Sequence, residues 1–280
     1  MKLTKIETGN FMLDGGALFG VIPKSLWQKV YPADERNLCN LAMRCLLVET
    51  AGRVVLIDTG IGTKQTEKFF SHYYLNGDYS LEKSLAAHGC RPEDITDVLL
   101  THLHFDHVGG ALTRDADSGK SLPAFPSASY WVSREQWEWA ARPNRRERAS
   151  FLPGNIEPLE GSIHFLEAEG EFLPGLELRF FHGHTGGLVV PLISYGGETL
   201  VYVGDLFPTA AHIPAAWVCG YDTRPLLSFT EREVFLEEAF AGDYVFYFEH
   251  DLAVECCRLE ETAKGFRAGE AFSLEKFINL

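Results

Sequence analysis

The stretch THLHFDHVGG, residues 101–110, places three histidines and an aspartate within the six positions from His102 to His107. It closes an apolar run, DVLLTHLH (97–104), that reads as a β-strand. In an extended segment alternate side chains share a face, so His102 and His104 point the same way while Leu103 turns into the core. Beyond the strand, Phe105 and Asp106 open a turn from which Asp106 and His107 can aim at a second point nearby. Gly109 and Gly110 let the backbone bend tightly behind them. Four donors from one loop do not complete a two-ion site, because a catalytic metal takes three protein ligands plus an open position. The remaining donors must come from elsewhere, and three candidates sit downstream at predicted strand ends or in glycine-rich turns: His184 in FHGHTGGL, Asp205 in VYVGDLF and His250 in VFYFEHD.

Working outward, CLLVETAGRVVLIDTG (45–60) and LVVPLISYGGETLVYVGD (188–205) share one pattern. Each is an apolar run, a glycine-containing turn and a second apolar run that closes on Asp58 or Asp205, the signature of a β-hairpin. Helical patterns follow at SLEKSLAAHG (80–89, stopped at Gly89), SREQWEWAAR (133–142, with Ser133 and Gln136 as a capping box) and TEREVFLEEAFAG (230–242, with Thr230 and Glu233 likewise). Strands followed by helices, twice over, predict an α+β chain: a four-layer αβ/βα sandwich of two mainly mixed β-sheets with outer helices. Its ligands would gather where strands end. A single domain over 1–280 is expected, with 1–36 an N-terminal strand and loop segment near the site mouth.

Composition narrows the function. A chain of 280 residues, 46% hydrophobic and 12% aromatic, can bury a large core. Its 39 acidic against 25 basic residues give a formal charge of -14, a surface that repels polyanions and disfavours nucleic-acid partners. The one local basic cluster, ARPNRRER (141–148), reads as a solvated face. No apolar run approaches the roughly 20 residues of a membrane span, and MKLTKIETGN has no apolar leader core, so a soluble cytoplasmic protein without a membrane partner is expected. The six cysteines show no C-x-x-C spacing and read as small buried apolar side chains.

The motif H-x-H-x-D-H, followed in order by His, Asp and His, resembles the metallo-β-lactamase superfamily of hydrolases, and the resemblance runs from VVLIDTG through FYFEHD. It implies the metallo-β-lactamase fold and two zinc ions, with iron, manganese or cobalt suited to similar ligands. Carried over, His102, His104 and His184 would hold one ion, Asp106, His107 and His250 the other, and Asp205 would bridge them. His182 could mimic an H-x-H pair with His184, but the family pattern assigns the ligand to the histidine of G-H-T. The resemblance makes Asp58 a residue that orients the histidine loop; a turn or helix-cap aspartate is the plain alternative. An aspartic-protease reading of IDTG fails, because the matching hairpin ends in GDL and supplies no second D-T-G. His72, His88 and His164 lack acidic or histidine neighbours at ligand spacing and read as structural or surface residues.

Two divalent ions can share a water and lower its pKa to about 7, so a hydroxide bridging them would attack a carbonyl at neutral pH, with Asp106 and Asp205 as the catalytic carboxylates. This suits lactones, esters, thioesters, β-lactams and phosphoesters alike, so the ions set reaction type and not substrate. Flavo-diiron relatives carry Glu at the position of His104 and an added flavodoxin domain, for which there is no room. Glyoxalase II relatives continue the turn as T-P-G-H where this chain has HTGGL.

FMLDGGALFGVIPKSLWQKVYP (11–32) and GDLFPTAAHIPAAWVCGYD (204–222) resemble the branch holding N-acyl-homoserine lactone lactonases and methyl-parathion-hydrolase-like enzymes. That resemblance implies a small-molecule lactone or ester substrate and a homodimer. Phe19, Phe105, Phe207, Ile213 and Trp217 become candidates for an apolar pocket beside the metals. Many such lactonases place a tyrosine three residues after the bridging aspartate. Here Pro208 stands there, and His212 and Tyr221 are the candidate replacement donors. A phosphotriesterase or arylesterase is the alternative within enzymes. A metal-holding binding or sensing protein is the alternative outside them, disfavoured because binding alone needs no open two-metal site.

Overall fold

The apolar runs on either side of Ala51–Gly52 pair as strands β2 (Leu38–Thr50) and β3 (Arg53–Ile57), antiparallel, from Leu46 opposite Ile57 to Thr50 opposite Arg53. Both turn residues have positive φ, 48° at Ala51 and 74° at Gly52, the geometry that matches the twist of a two-residue hairpin. The computed structural model describes residues 1–115 and 117–279. They form two compact units, one of Met1–Asn10 with Met43–Glu169, the other of Phe11–Ala42 with Gly170–Leu280. Strand β1 (Lys2–Asp14), like β2, has residues in both.

In the first unit β4 (Asp97–Leu99) runs parallel to β3. A small antiparallel ribbon, β5 (Leu112–Arg114) with β6 (Ser121–Pro123), stands apart from the main sheet. Strands β7 (Ser129–Ser133) and β8 (Ile163–Leu166) extend the parallel set, giving the order β1-β2-β3-β4-β7-β8. Parallel neighbours require crossovers. The helix Leu81–Ala87, capped by Ser80, lies between β3 and β4, and Arg134–Ala141, capped by Ser133, between β7 and β8. Leu56, Val98, Leu100, Tyr130 and Val132 meet Leu85 and Ala140 in the core beneath.

The second unit holds a seven-stranded sheet: β9 (Gly170–Leu173), β10 (Leu176–Phe181), β11 (Leu188–Tyr195), β12 (Glu198–Tyr202), β13 (Val245–Tyr247), β14 (Cys256–Thr262) and β15 (Gly265–Phe272), adjacent in chain order. Its pairs are antiparallel except β12 with β13, whose crossover is the helix Pro225–Ala241. That helix starts five residues before the expected cap at Thr230. Pro225 occupies its first turn, where a fixed φ and a missing N–H suit helix initiation. Thr230 instead donates back to the Leu226 carbonyl at 3.1 Å from inside the helix. All six cysteines are free thiols, five of them buried. Among the described residues no helix is long and apolar enough to cross a membrane.

Candidate metal centre

The first unit supplies the THLHFDHVGG loop. Strand β4 ends at Leu99, so His102 and His104 sit in the loop beyond it rather than on the strand, and the alternation of an extended chain is not what aligns them. Leu103 anchors the loop: its side chain is fully buried and its N–H donates to Gln136 Oε1 at 3.1 Å. His104 then caps the short helix Phe105–Val108, which carries Asp106 and His107. Gly109 does not bend the chain, for its φ is -58°. It and Gly110 permit close approach instead: a Cβ there would lie 2.0 Å from the Ile61 carbonyl oxygen and 2.2 Å from that of Thr59.

Each imidazole of this loop is tied on one ring nitrogen. Thr101 donates its hydroxyl to Asp58 Oδ2 at 2.6 Å, which leaves its oxygen to accept from His102 Nδ1 at 3.0 Å. His107 Nδ1 donates to the same Asp58 Oδ2 at 3.1 Å, and the Thr101 N–H to Asp58 Oδ1 at 2.8 Å. His104 Nε2 donates to Glu147 Oε1 at 3.0 Å. The outer bonds select the tautomers that turn lone pairs inward on His102 Nε2, His104 Nδ1 and His107 Nε2. His102 Nε2 and His104 Nδ1 are 2.9 Å apart, and Asp106 Oδ2 is 3.8 Å from His107 Nε2. Asp58 holds these contacts from a left-handed backbone, φ 56°, which aspartate tolerates better than most residues.

Glu147 escaped the sequence reading, since it lies in the basic cluster taken for a solvated face. It is 4% exposed and turned inward, accepting also from Trp139 Nε1 at 2.6 Å and Asn144 Nδ2 at 3.2 Å. No spacing rule signals it. Beside the loop, Phe105 packs against Phe69 and Tyr73, ring centroids 5.3 and 4.6 Å away.

The second unit carries the other donors. His184 follows β10 in a turn pinned by Glu231, which accepts the N–H groups of His182 and Gly183 at 2.8 and 2.9 Å. His182 accepts from the Gly187 N–H at 3.3 Å and so serves the turn, whereas His184 faces Asp205. Asp205 lies in the 3₁₀ turn Gly204–Leu206 after β12, and His250 follows β13. The Asp205 carboxylate stands between two imidazoles, Oδ2 3.0 Å from His184 Nε2 and Oδ1 3.1 Å from His250 Nε2. The outer nitrogens are again tied, His184 Nδ1 to Asp222 Oδ1 and His250 Nδ1 to the Ala42 carbonyl, both at 2.9 Å. Asp222 is a second residue that sequence spacing did not reveal. Burial alone would lower the His184 pKa, but the charges and hydrogen bonds of Asp205 and Asp222 outweigh it and raise it to about 10. An environment that holds a proton so firmly is one that attracts a metal cation. Imidazoles and carboxylates are donors that divalent transition ions take.

The expected apolar pocket is only partly there. Phe19 is fully buried, stacked between Trp27 at 5.0 Å and His212 at 4.6 Å. His212 accepts or donates through both nitrogens, to Thr209 Oγ1 at 2.8 Å and the Leu18 carbonyl at 3.2 Å, and burial followed by the Arg232 charge lowers its pKa to about 4. It has no nitrogen left for a substrate. Phe207 packs on Phe246 beneath the Arg232 guanidinium, and Ile213 is fully buried. These four residues build the interior of the second unit because their partners there saturate them. Trp217 lines an apolar cavity of about 560 Å³ with Met12, Tyr31, Leu38 and Val254, and Tyr221 is exposed. His72 and His88 are exposed, and His164 packs on Trp131.

The profile of the Metallo-beta-lactamase superfamily matches residues 44–255. An N-acyl homoserine lactonase of Bacillus cereus is 26% identical over 269 residues, 91% of this chain and 94% of the lactonase. A crystal structure of a probable metal-dependent hydrolase from Staphylococcus aureus superposes with a TM-score of 0.87 at 31% identity, covering 97% of this chain and 98% of that one. A dizinc quorum-quenching lactonase solved with its product superposes with a TM-score of 0.79 at 22% identity, covering 96% and 94%, a likeness of fold.

Proposed function

Because this chain belongs to the metallo-β-lactamase superfamily, with its fold and its metal-dependent hydrolase chemistry, we propose that it is a dinuclear zinc hydrolase that opens lactones, N-acyl homoserine lactones first among them. In this reading His102, His104 and His184 hold one ion, Asp106, His107 and His250 the other, and Asp205 serves both. The observation that carries it is the state of the five imidazoles. Every one has one nitrogen tied to a carboxylate, hydroxyl or carbonyl oxygen, which orients the other as a donor for a cation. When bound, two such ions supply hydroxide at neutral pH and a positive centre opposite the oxyanion of the reacting carbonyl.

The protein's own groups do the rest. Asp58, Glu147 and Asp222 fix ring orientation from behind. Asp106, one of the two catalytic carboxylates in this reading, would take the remaining proton of the hydroxide after it has added to the carbonyl carbon and pass it to the alcohol oxygen as the ring C–O bond breaks. Phe105, with Phe69 and Tyr73 against it, offers an apolar wall suited to an acyl chain. The N-acyl homoserine lactonase relatives, aligned over nine-tenths of the chain, support the substrate class. A second reading, a phosphotriesterase or arylesterase, is favoured by Pro208, which removes the hydroxyl that many lactonases place there, and by an aromatic wall that accepts an aryl group equally well.

Elemental analysis of the purified protein together with kcat/KM on acyl-homoserine lactones, aryl esters and paraoxon-type triesters separates these readings. Two zinc ions per chain and preference for lactones are expected; inert lactones beside active triesters would overturn the lactonase reading. His104→Ala and Asp205→Ala should each lower metal content and activity together. Two ions retained in both variants would sink the ligand assignment.

A further inference from the structure

The segment 142–151 is fastened to the metal loop at three points. Glu147 Oε1 accepts from His104 Nε2 at 3.0 Å, the Ser150 carbonyl accepts the Phe105 N–H at 3.0 Å, and the Phe151 ring lies 4.8 Å from the His104 imidazole. Asn144 sets the local backbone: its side-chain oxygen accepts the N–H groups of Arg146 and Glu147 at 2.9 and 3.0 Å, and its carbonyl accepts that of Arg148 at 3.0 Å. That turn sends Glu147 inward and leaves Arg142, Arg145, Arg146 and Arg148 exposed. Arg146 and Arg148 flank Glu147, each one Cα step of about 3.8 Å away. The short segment that touches His104 therefore carries four guanidinium charges. Exposed arginines elsewhere have found carboxylates: Arg36 with Asp34, Arg91 with Asp94, Arg134 with Glu167 and Arg267 with Glu260. Among the described residues no carboxylate pairs with Arg142, Arg145 or Arg148. The one acid of the stretch, Glu147, is spent on His104, Trp139 and Asn144.

In a chain of formal charge -14 this segment is a local reversal of sign. An anionic small molecule is repelled by such a surface as a whole and drawn to a place where it turns positive. Each guanidinium also presents a planar fork of N–H donors that matches a carboxylate or a phosphate. We propose that Arg142, Arg145 and Arg148 form a recognition surface beside the metal loop for an anionic group, a carboxylate or a phosphate, carried by the substrate. The assignment rests on the hydrolase reading above and, within its lactones and esters, makes the anionic ones the preferred class. The arginines act through charge over a Debye length of about 8 Å at physiological ionic strength, so they need no fixed aim to gather and hold the anion. They form and break no bond and move no proton. A charged stretch of this kind is ordinarily a solvated face. Here its backbone is anchored to His104 and Phe105, which puts the positive field where a substrate would arrive.

The test compares the full-length, zinc-loaded protein with a variant combining Arg142→Glu, Arg145→Glu and Arg148→Glu. A second variant, with glutamine at the same three positions, removes the charge without reversing it and serves if reversal disturbs folding or metal loading. Titration calorimetry in about 0.01 M salt measures butyrate against succinate, and gluconate against its terminal phosphate ester. Every probe has one carboxylate to meet the metals, so each pair reports the added anionic group. The parent should bind the doubly anionic member of at least one pair roughly tenfold more tightly, the size expected of a few exposed charge pairs acting together. The pair with the larger preference tells carboxylate from phosphate. The preference should fade in about 1 M salt, where the Debye length is about 3 Å, and vanish in both variants. Hydrolysis of para-nitrophenyl butyrate and para-nitrophenyl succinate should follow in kcat/KM, with kcat unaltered by the substitutions. Equal affinities within both pairs in the parent, or a preference that survives both variants, would overturn the proposal. So would a parent that self-associates in low salt and is dispersed by the substitutions, since the arginines would then face acids of a second copy. The binding preference without hydrolysis of any ester or lactone would remove the hydrolase reading and keep the arginines as an anion site.

Discussion

His104 Nε2 donates to the buried Glu147 Oε1 at 3.0 Å, and that one bond ties a member of a basic cluster to a proposed metal ligand. Glu147→Gln keeps the size and one acceptor oxygen but loses the charge that raises the ring's basicity. Chelator competition should show metal affinity reduced by roughly 10- to 100-fold, with the far-UV spectrum unchanged. Affinity equal to the parent's would show that Glu147 serves packing only.

Asp58 Oδ2 accepts from both Thr101 Oγ1 and His107 Nδ1, and its backbone is left-handed at φ 56°. Asparagine accepts that backbone, so Asp58→Asn isolates the carboxylate, whereas Asp58→Ala adds backbone strain of roughly 1–2 kcal/mol. In urea unfolding the Asn variant should lose about 1–3 kcal/mol, the range for leaving buried donors unsatisfied, and the Ala variant more. Both should bind less metal than the parent.

His184 holds its proton up to about 10 between Asp205 and Asp222. A cation bound at its Nε2 must displace that proton, so metal affinity should rise with pH through neutrality and on toward about 10. Titration calorimetry of zinc binding at pH 8, repeated in buffers of different ionisation enthalpy, should report about one proton released from this residue. Asp222→Asn should reduce that release. A release identical in parent and variant would contradict the role given to Asp222.

His212 works in the opposite direction, its pKa lowered from 6.5 to about 4. The folded state keeps it neutral while the unfolded chain binds a proton below 6.5, so between those values the unfolded state holds more protons. Its contribution to stability is whole above 6.5 and is lost as pH falls through about 4, by roughly 3 kcal/mol in all. His212→Phe removes the titration along with the Thr209 and Leu18 bonds. The variant should be less stable than the parent at pH 7.5, and the gap should narrow by about that amount at pH 4. A gap independent of pH would show that His212 does not titrate there.

Much of this protein was determined by short-range pattern. The two hairpins closing on Asp58 and Asp205 form where the apolar runs and glycine turns predicted them, because strand pairing across a tight turn needs only neighbours in the chain. The donor types at 102–107 are likewise a local spelling of metal chemistry, and the family follows from them. What the tertiary structure decided is everything that depends on partners distant in sequence. Glu147 meets His104 across 43 residues and Asp222 meets His184 across 38, and no periodicity encodes either encounter. Phe19 and His212, which looked like pocket residues, stack on each other inside the second unit. Tyr73, which belonged to no motif, is set against Phe105. Residue type sets which bonds a side chain can make, but the packing of distant segments sets which of those bonds are already taken. Only a group left with an unspent donor or lone pair is available for function.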